Sequence, residues 1–322
     1  MEYKNLPTSS VRVSRLCLGT MMFGKQTDEA ESLKIMDYAF DNGINFFDTA
    51  DLYNVGESER IVGKGLKGRR DKIILTTKVR GQMGEDPSNS GLSRRYIMSA
   101  VDASLKRLDT DYLDFYYMHA PDYDTALEET LDTMSGLVKS GKVRYIGISN
   151  YPAWQIADIL AICDKRGYVA PVMTQNVYNA ITRGIESELI PCVNEHKMGM
   201  VIYNPIAGGL LTGKHKAGKP EENTRFANAK AYFDRYWSDE NFAAVEKLTE
   251  IAASHGMSIL QLAMKWCAAQ KSVISILTGV SRMSQLEQNI ESIKGEPLDA
   301  GILAQCDEVW NSIAGARYSY FR

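Results

Sequence analysis

The chain has 322 residues and 44% hydrophobic content, enough to bury a large core either as one α/β barrel or as two smaller domains. A formal net charge of -3, with no run of five like charges, leaves no electrostatic footprint for nucleic acid or an anionic membrane. No long apolar N-terminal run and no stretch of eighteen apolar residues is present, so neither signal peptide nor membrane span is readable, and the cytoplasm is the expected location.

Short β-branched or aromatic runs alternate with amphipathic stretches of helix length, the pattern of a parallel sheet built from βα units. The strands expected are 16–19, 45–48, 73–77, 115–118, 145–148, 172–175, 200–203 and 274–277. Eight such units predict an α/β fold of the (β/α)8 TIM-barrel type. Asp28 opens the first helix, whose Ala30, Leu33, Ile35, Met36 and Ala39 keep helical spacing, and Asn42-Gly43 closes it. Ser140-Gly141 closes the fourth. The longest irregular insertion, 212–239, follows the seventh strand and has the character of a lid. No linker or close repeat interrupts the alternation, so residues 1–322 are read as a single domain.

Cys17, Cys163, Cys192, Cys267 and Cys306 lie far apart with no C-x-x-C pair, and are expected to be free thiols rather than a disulfide framework. His119, His196, His215 and His255 show no H-E-x-x-H spacing, so no metal site is expected.

Residues with useful chemistry fall at the C-terminal ends of the expected strands: Thr20, Asp48, Lys78, His119, Ser149, Asn150, Gln175, Asn176, Tyr203 and Gly279. Strand ends at one rim of a barrel converge on a single pocket. GINFFDTADLY supplies Asp48 and Tyr53, TTK supplies Lys78 and YYMHAPD supplies His119. A phenol, with a pKa of about 10, gives up a proton near neutrality only if its anion is stabilised, and an ammonium within about 4 to 6 Å does that. Lys78 would play this part, held by Asp48, while His119 would hydrogen-bond the substrate carbonyl and Tyr53 would supply the proton. Taken singly, the four also read as a loop cap, a solvated charge, a wall residue and a core histidine. Their convergence on consecutive strand ends favours the catalytic reading.

From about Leu16 onward the chain resembles the aldo-keto reductase superfamily, with GINFFDTADLYNVGESERIVGKGL, TTKV, MHAPD, VRYIGISNY, NPIAGGLLTGK and GVSRMSQLEQN in family order. The resemblance implies that Asp48, Tyr53, Lys78 and His119 form a catalytic tetrad and that NADPH is the cofactor. It implies that Ser149, Asn150 and Gln175 bond the nicotinamide carboxamide and that Tyr203 stacks on its ring. The stretch 204–214 matches the pyrophosphate loop, with Asn204, Pro205, Ile206, Gly208, Leu210, Gly213 and Lys214 as its cofactor-binding members. Ser281, Arg282 and Gln285 match positions that hold the adenosine 2'-phosphate, and Asn289 one that meets adenine. Gly19, Thr20, Met21, Asp48, Gly279 and Gln288 complete the set. The guanidinium fork of Arg282 suits a phosphate, hence NADPH over NADH. VYNAITRGIESELIPC, RYW and the terminal YFR resemble the aflatoxin-aldehyde and succinic-semialdehyde reductase branch, where residues matching Arg225 and Arg322 are implicated in holding a substrate carboxylate. A small aldehyde or ketone, and within that class an acidic aldehyde, is the expected substrate.

Gly63 to Gly68 formally satisfies G-x-G-x-x-G, but it ends a helical stretch and precedes a strand, the reverse of a dinucleotide fingerprint. The aromatic stretch Tyr232, Phe233, Tyr236 and Trp237 lacks a basic groove and is read as a pocket lid or core packing. A barrel glycosidase needs two facing carboxylates, and no second acid joins Asp48 at a convincing strand end. The remaining alternative is a cofactor-binding redox sensor or regulatory subunit with slow turnover, as in the barrel subunits attached to potassium channels.

Overall fold

The computed structural model describes residues 1–222 and 224–314. A hairpin of β1 (Tyr3–Asn5) and β2 (Arg12–Ser14) opens the chain. The sequence pattern does not announce it, because three residues are too few to display alternation. There follow β3 (Leu16–Gly19), β4 (Phe46–Asp48), β5 (Ile74–Val79), β6 (Leu113–Met118), β7 (Val143–Ser149), β8 (Met173–Val177), β9 (Gly199–Tyr203) and β10 (Val273–Gly279). These eight close into a barrel in the order β10-β3-β4-β5-β6-β7-β8-β9, the expected (β/α)8 architecture.

The strand bounds move by a few residues. β5 runs to Val79 rather than ending at residue 77, because Lys78 and Val79 stay paired with Tyr117 and Met118 of β6. Lys78 therefore stands on a strand, which fixes its direction more firmly than a loop would.

Local chemistry sets the helix ends as expected. The Asp28 carboxylate accepts from Glu31 N at 2.8 Å to cap helix Glu29–Asp41, and Gly43, at φ +80°, turns the chain out of it. The barrel interior holds Cys17, Phe46, Phe115, Tyr117, Met173, Val201 and Ile274, drawn mostly from the first halves of their strands, together with Leu6 and Val13 of the hairpin region. Apolar packing thus fills the N-terminal end of the barrel and leaves the polar groups to the C-terminal end.

Internal contacts divide the chain into two compact units. The first, Met1–Asn176, Ile185–Tyr203 and Ser272–Gln288, carries the barrel strands. The second, Val177–Gly184, Asn204–Lys271 and Asn289–Arg322, includes helices Asp239–Ser254, Ile259–Ala269 and Ala300–Ile313. In it Arg183 pairs with Asp307 at 2.7 Å and lies over the Trp266 ring at 5.0 Å. The insertion 212–239 contains two short helices, Arg225–Asn228 and Lys230–Tyr236, so it is less irregular than its composition indicates. Trp237 gathers Phe226 and Phe242 at 4.9 Å and His215 at 5.7 Å between ring centres, making this aromatic stretch a small core.

Gly63 and Gly65 end helix Glu57–Gly65, and a Cβ on Gly63 would lie 2.7 Å from the Leu108 carbonyl carbon. That G-x-G-x-x-G serves helix packing. The five cysteines are free thiols, four of them buried and Cys192 half-buried. Among the described residues no helix is long and apolar enough to cross a membrane.

Candidate functional site

The β4–β5 register sets Asp48 opposite Thr76, so Lys78, two residues further along β5, shares the inward face. Lys78 is fully buried, donates from Nζ to Asp48 Oδ1, and reaches the Thr49 carbonyl at 2.7 Å. The other Asp48 oxygen accepts from Thr76 Oγ1 at 2.7 Å and Gln175 Nε2 at 2.9 Å. Burial alone pushes the Lys78 ammonium toward neutrality, but the Asp48 carboxylate and then Tyr53 more than offset it and hold its pKa above the ordinary value. The result is a fixed cation 5.2 Å from the centre of the Tyr53 ring.

Tyr53 opens a 3-10 turn whose next two residues, Asn54 (φ +49°) and Val55 (φ +54°), are left-handed. For a β-branched residue this costs on the order of 1 to 2 kcal/mol. Asn54 Nδ2 donates to the Phe23 carbonyl at 2.5 Å, and upstream Leu52 N donates to Asp51 Oδ1 at 2.6 Å, so both flanks of Tyr53 are tied. The His119 ring stands 6.1 Å from that of Tyr53, edge-on. Its Nδ1 is buried with no partner, and burial, then the charges of Lys78 and Arg80, push the imidazole down to about 3. His119 is therefore neutral near pH 7, a hydrogen-bonding group rather than a proton carrier.

A polar chain continues around the rim. Ser149 Oγ donates to the Gln175 carbonyl at 2.8 Å, Asn150 Nδ2 to the His119 carbonyl at 3.0 Å, and Tyr203 Oη to Asn150 Oδ1 at 2.8 Å. Asn150 is held at φ +63° to make both contacts. Thr20 Oγ1 lies 2.8 Å from Ser58 Oγ, Thr49 Oγ1 lies 3.0 Å from it, and Gly19 and Gly279 are register partners on β3 and β10. The structure thus brings together Thr20, Asp48, Tyr53, Lys78, His119, Ser149, Asn150, Gln175 and Tyr203.

Past β10, Gln285 Oε1 accepts from Ser281 N at 2.7 Å at the start of helix Met283–Ser292. The Arg282 guanidinium is exposed and has no hydrogen-bond or ion-pair partner among the described residues. Beside it, Met283 N donates to Glu31 Oε1 at 3.1 Å, so a carboxylate already sits at this helix start. In the second unit, the loop 204–214 carries left-handed residues at Asn204, Ala207, Gly208, Gly209 and Gly213. Successive amides turned this way form an anion-binding concavity, which suits a pyrophosphate. The Arg225 guanidinium lies over the Tyr232 ring at 4.9 Å in that unit. Asn289 is buried there, and Arg322 lies outside the described residues.

Three contributors were not read from the sequence. Thr76 was within reach, since it precedes Lys78 by two on a strand and must share its face. Glu31 meets Met283 across 252 residues, and no local pattern marks that contact. The third is a buried group behind Tyr53: Glu59 accepts from Thr77 Oγ1 and Arg107 Nε, each at 2.6 Å, and Tyr96 Oη donates to Asp51 at 3.3 Å. Burial, then the nearby Glu59 charge, push Asp51 up to about 7.

Residues 15–311 match the Aldo/keto reductase family. A probable voltage-gated potassium channel subunit beta of Arabidopsis thaliana is 37% identical over 305 residues, covering 92% of this chain and 93% of that one. Aflatoxin B1 aldehyde reductase member 2 of Homo sapiens is 33% identical over 323 residues, with 95% and 89% covered. The uncharacterized oxidoreductase YrpG of Bacillus subtilis (strain 168) is 36% identical over 327 residues, with 98% of each covered. Among solved structures, the holo form of aldo-keto reductase AKR11C1 from Bacillus halodurans superposes with a TM-score of 0.80 at 32% identity, covering 96% of both chains.

Proposed function

The chain belongs to the aldo/keto reductase family, and from that premise we propose that it is an NADPH-dependent reductase of small aldehydes or ketones in which Tyr53 is the general acid. Family membership itself carries nicotinamide-dependent carbonyl chemistry. The observation that carries the finer reading is the buried Lys78 ammonium, locked by Asp48 and standing 5.2 Å from the Tyr53 ring. A cation there stabilises the phenolate that remains once Tyr53 has given its proton to the carbonyl oxygen. Neutral His119 orients that oxygen and supports its developing charge without competing for the proton. A bound reduced nicotinamide supplies the hydride. Ser149, Asn150 and Gln175 are proposed to hold its carboxamide, Tyr203 its ring, the loop 204–214 its pyrophosphate, and Arg282 the 2'-phosphate. The unpartnered guanidinium of Arg282 supports NADPH. Arg225 and Arg322 are proposed to favour an acidic aldehyde.

The relatives named as potassium channel subunits support a second reading, a cofactor-bearing sensor with slow turnover. Loss of nicotinamide absorbance with succinic semialdehyde, methylglyoxal, phenylglyoxal and 4-nitrobenzaldehyde separates the two. Steady turnover of any of them supports the reductase, and tight NADPH binding without turnover supports the sensor.

A further inference from the structure

Arg80 follows β5 directly, two residues beyond Lys78, and its φ of +141° is far outside the region that side-chain-bearing residues prefer. Strain of this kind costs on the order of 1 to 3 kcal/mol and persists only where the surroundings enforce it. Here they do. The Arg80 carbonyl accepts from Gly91 N at 2.9 Å, and His119 N donates to the Val79 carbonyl at 3.0 Å, setting Arg80 and His119 on adjacent strand ends. Next along the chain, a Cβ on Gly81 would lie 2.3 Å from the Leu52 side chain, the residue before Tyr53, and the Gly81 carbonyl accepts from Tyr96 Oη at 3.2 Å. The strained residue is thus wedged between the segments that carry Tyr53 and His119.

Its side chain is exposed, and Nε donates to the Pro121 carbonyl at 3.2 Å. The two terminal nitrogens have no hydrogen-bond or ion-pair partner among the described residues. The nearby Asp122 carboxylate is engaged elsewhere, by Leu92 N at 2.6 Å and Thr125 Oγ1 at 2.8 Å. Arg80 therefore offers two donors that no hydrogen bond occupies; its charge is felt at Asp122 and at His119.

We propose that Arg80 is an anion-binding residue of the substrate site, holding a carboxylate or phosphate borne by the carbonyl compound. The proposal rests on the reductase reading for the identity of the substrate, but not for the existence of the anion site. One guanidinium fork on an oxyanion is two charge-assisted hydrogen bonds, and losing it lowers affinity by about 10- to 100-fold.

The test compares wild type, Arg80→Gln and Arg80→Lys on matched pairs: succinic semialdehyde against butanal, and glyceraldehyde 3-phosphate against glyceraldehyde. Arg80→Gln is expected to raise KM for one or both anionic substrates at least about 10-fold more than for their neutral partners, with Arg80→Lys intermediate. A rise for succinic semialdehyde alone identifies a carboxylate site, and for the phosphate ester alone a phosphate site. Equal effects on charged and neutral partners, or none, overturn the proposal. Calorimetric titration of the NADP-loaded protein with succinate and with 3-phosphoglycerate gives a readout free of turnover. Anion binding that Arg80→Gln abolishes supports the site even if no aldehyde is reduced; if neither anion binds wild type, the proposal fails whatever the activity.

Discussion

The Lys78 ammonium donates directly to the Asp48 carboxylate, with both side chains removed from solvent. Removing one partner of such a pair leaves an uncompensated buried charge, which costs about 3 to 5 kcal/mol. Asp48→Asn should therefore lower the free energy of unfolding in urea by that amount, and Asp48→Asn/Lys78→Met should recover most of it, since an apolar replacement of the whole pair is close to neutral. Neither variant should reduce aldehydes. Denaturation and activity assays on the single and double variants check both parts, and a double variant no more stable than the single would contradict the pairing.

Stability should fall in acid because of His119. Its folded pKa of about 3 lies below the ordinary value of about 6.5, so the unfolded chain takes up the proton first. The contribution is complete above about pH 6.5 and is lost as pH falls toward 3. His119→Gln should show a shallower fall over that window in thermal melts, and a parallel curve would contradict the assignment.

Asp51 acts in the opposite sense. Its folded pKa, about 7, exceeds the ordinary carboxyl value of about 3.9, so its contribution is complete below the latter and is lost as pH rises through 7. Asp51→Asn keeps the neutral form at every pH and should flatten this component. Measured from pH 4 to 8, the variant should gain on wild type as pH rises. A constant difference would show that Asp51 is not protonated in the folded protein.

The start of helix Met283–Ser292 carries two opposite charges, the Glu31 carboxylate that accepts from Met283 N and the exposed guanidinium of Arg282 in the preceding residue. A 2'-phosphate placed there is attracted by the guanidinium and repelled by the carboxylate. Glu31→Gln should tighten NADPH about 3- to 10-fold and leave NADH nearly unchanged, and Arg282→Ala should weaken NADPH at least 10-fold with little effect on NADH. Fluorescence titration with both nucleotides checks this, and equal changes for the two would remove the 2'-phosphate role.

The barrel was legible because each βα unit announces itself locally: a β-branched run, then an amphipathic helix with its own cap, as at Asp28 and Gly43. Asp48, Lys78 and His119 were legible for the same reason, since strand ends fix where their side chains converge. The hairpin β1–β2 was too short to show a period. Glu59 reads as one more charge on a helix, and its buried partners, Arg107 on a different helix and Thr77 on β5, come from elsewhere in the sequence. Glu31 and the backbone strain at Arg80 exist only once distant segments meet. Aromatic residues in 212–239 were legible by type but not by role, because packing among Phe226, Trp237 and Phe242 depends on two short helices that the composition obscures.

The most direct test of the central claim is Tyr53→Phe. The substitution removes one hydroxyl and leaves the ring, the Lys78–Asp48 pair and the cofactor-binding residues in place. Aldehyde reduction should fall by about 100-fold or more while the Kd for NADPH changes by less than about 3-fold. Turnover close to wild type in that variant would show that the proton comes from elsewhere and that Tyr53 is not the acid.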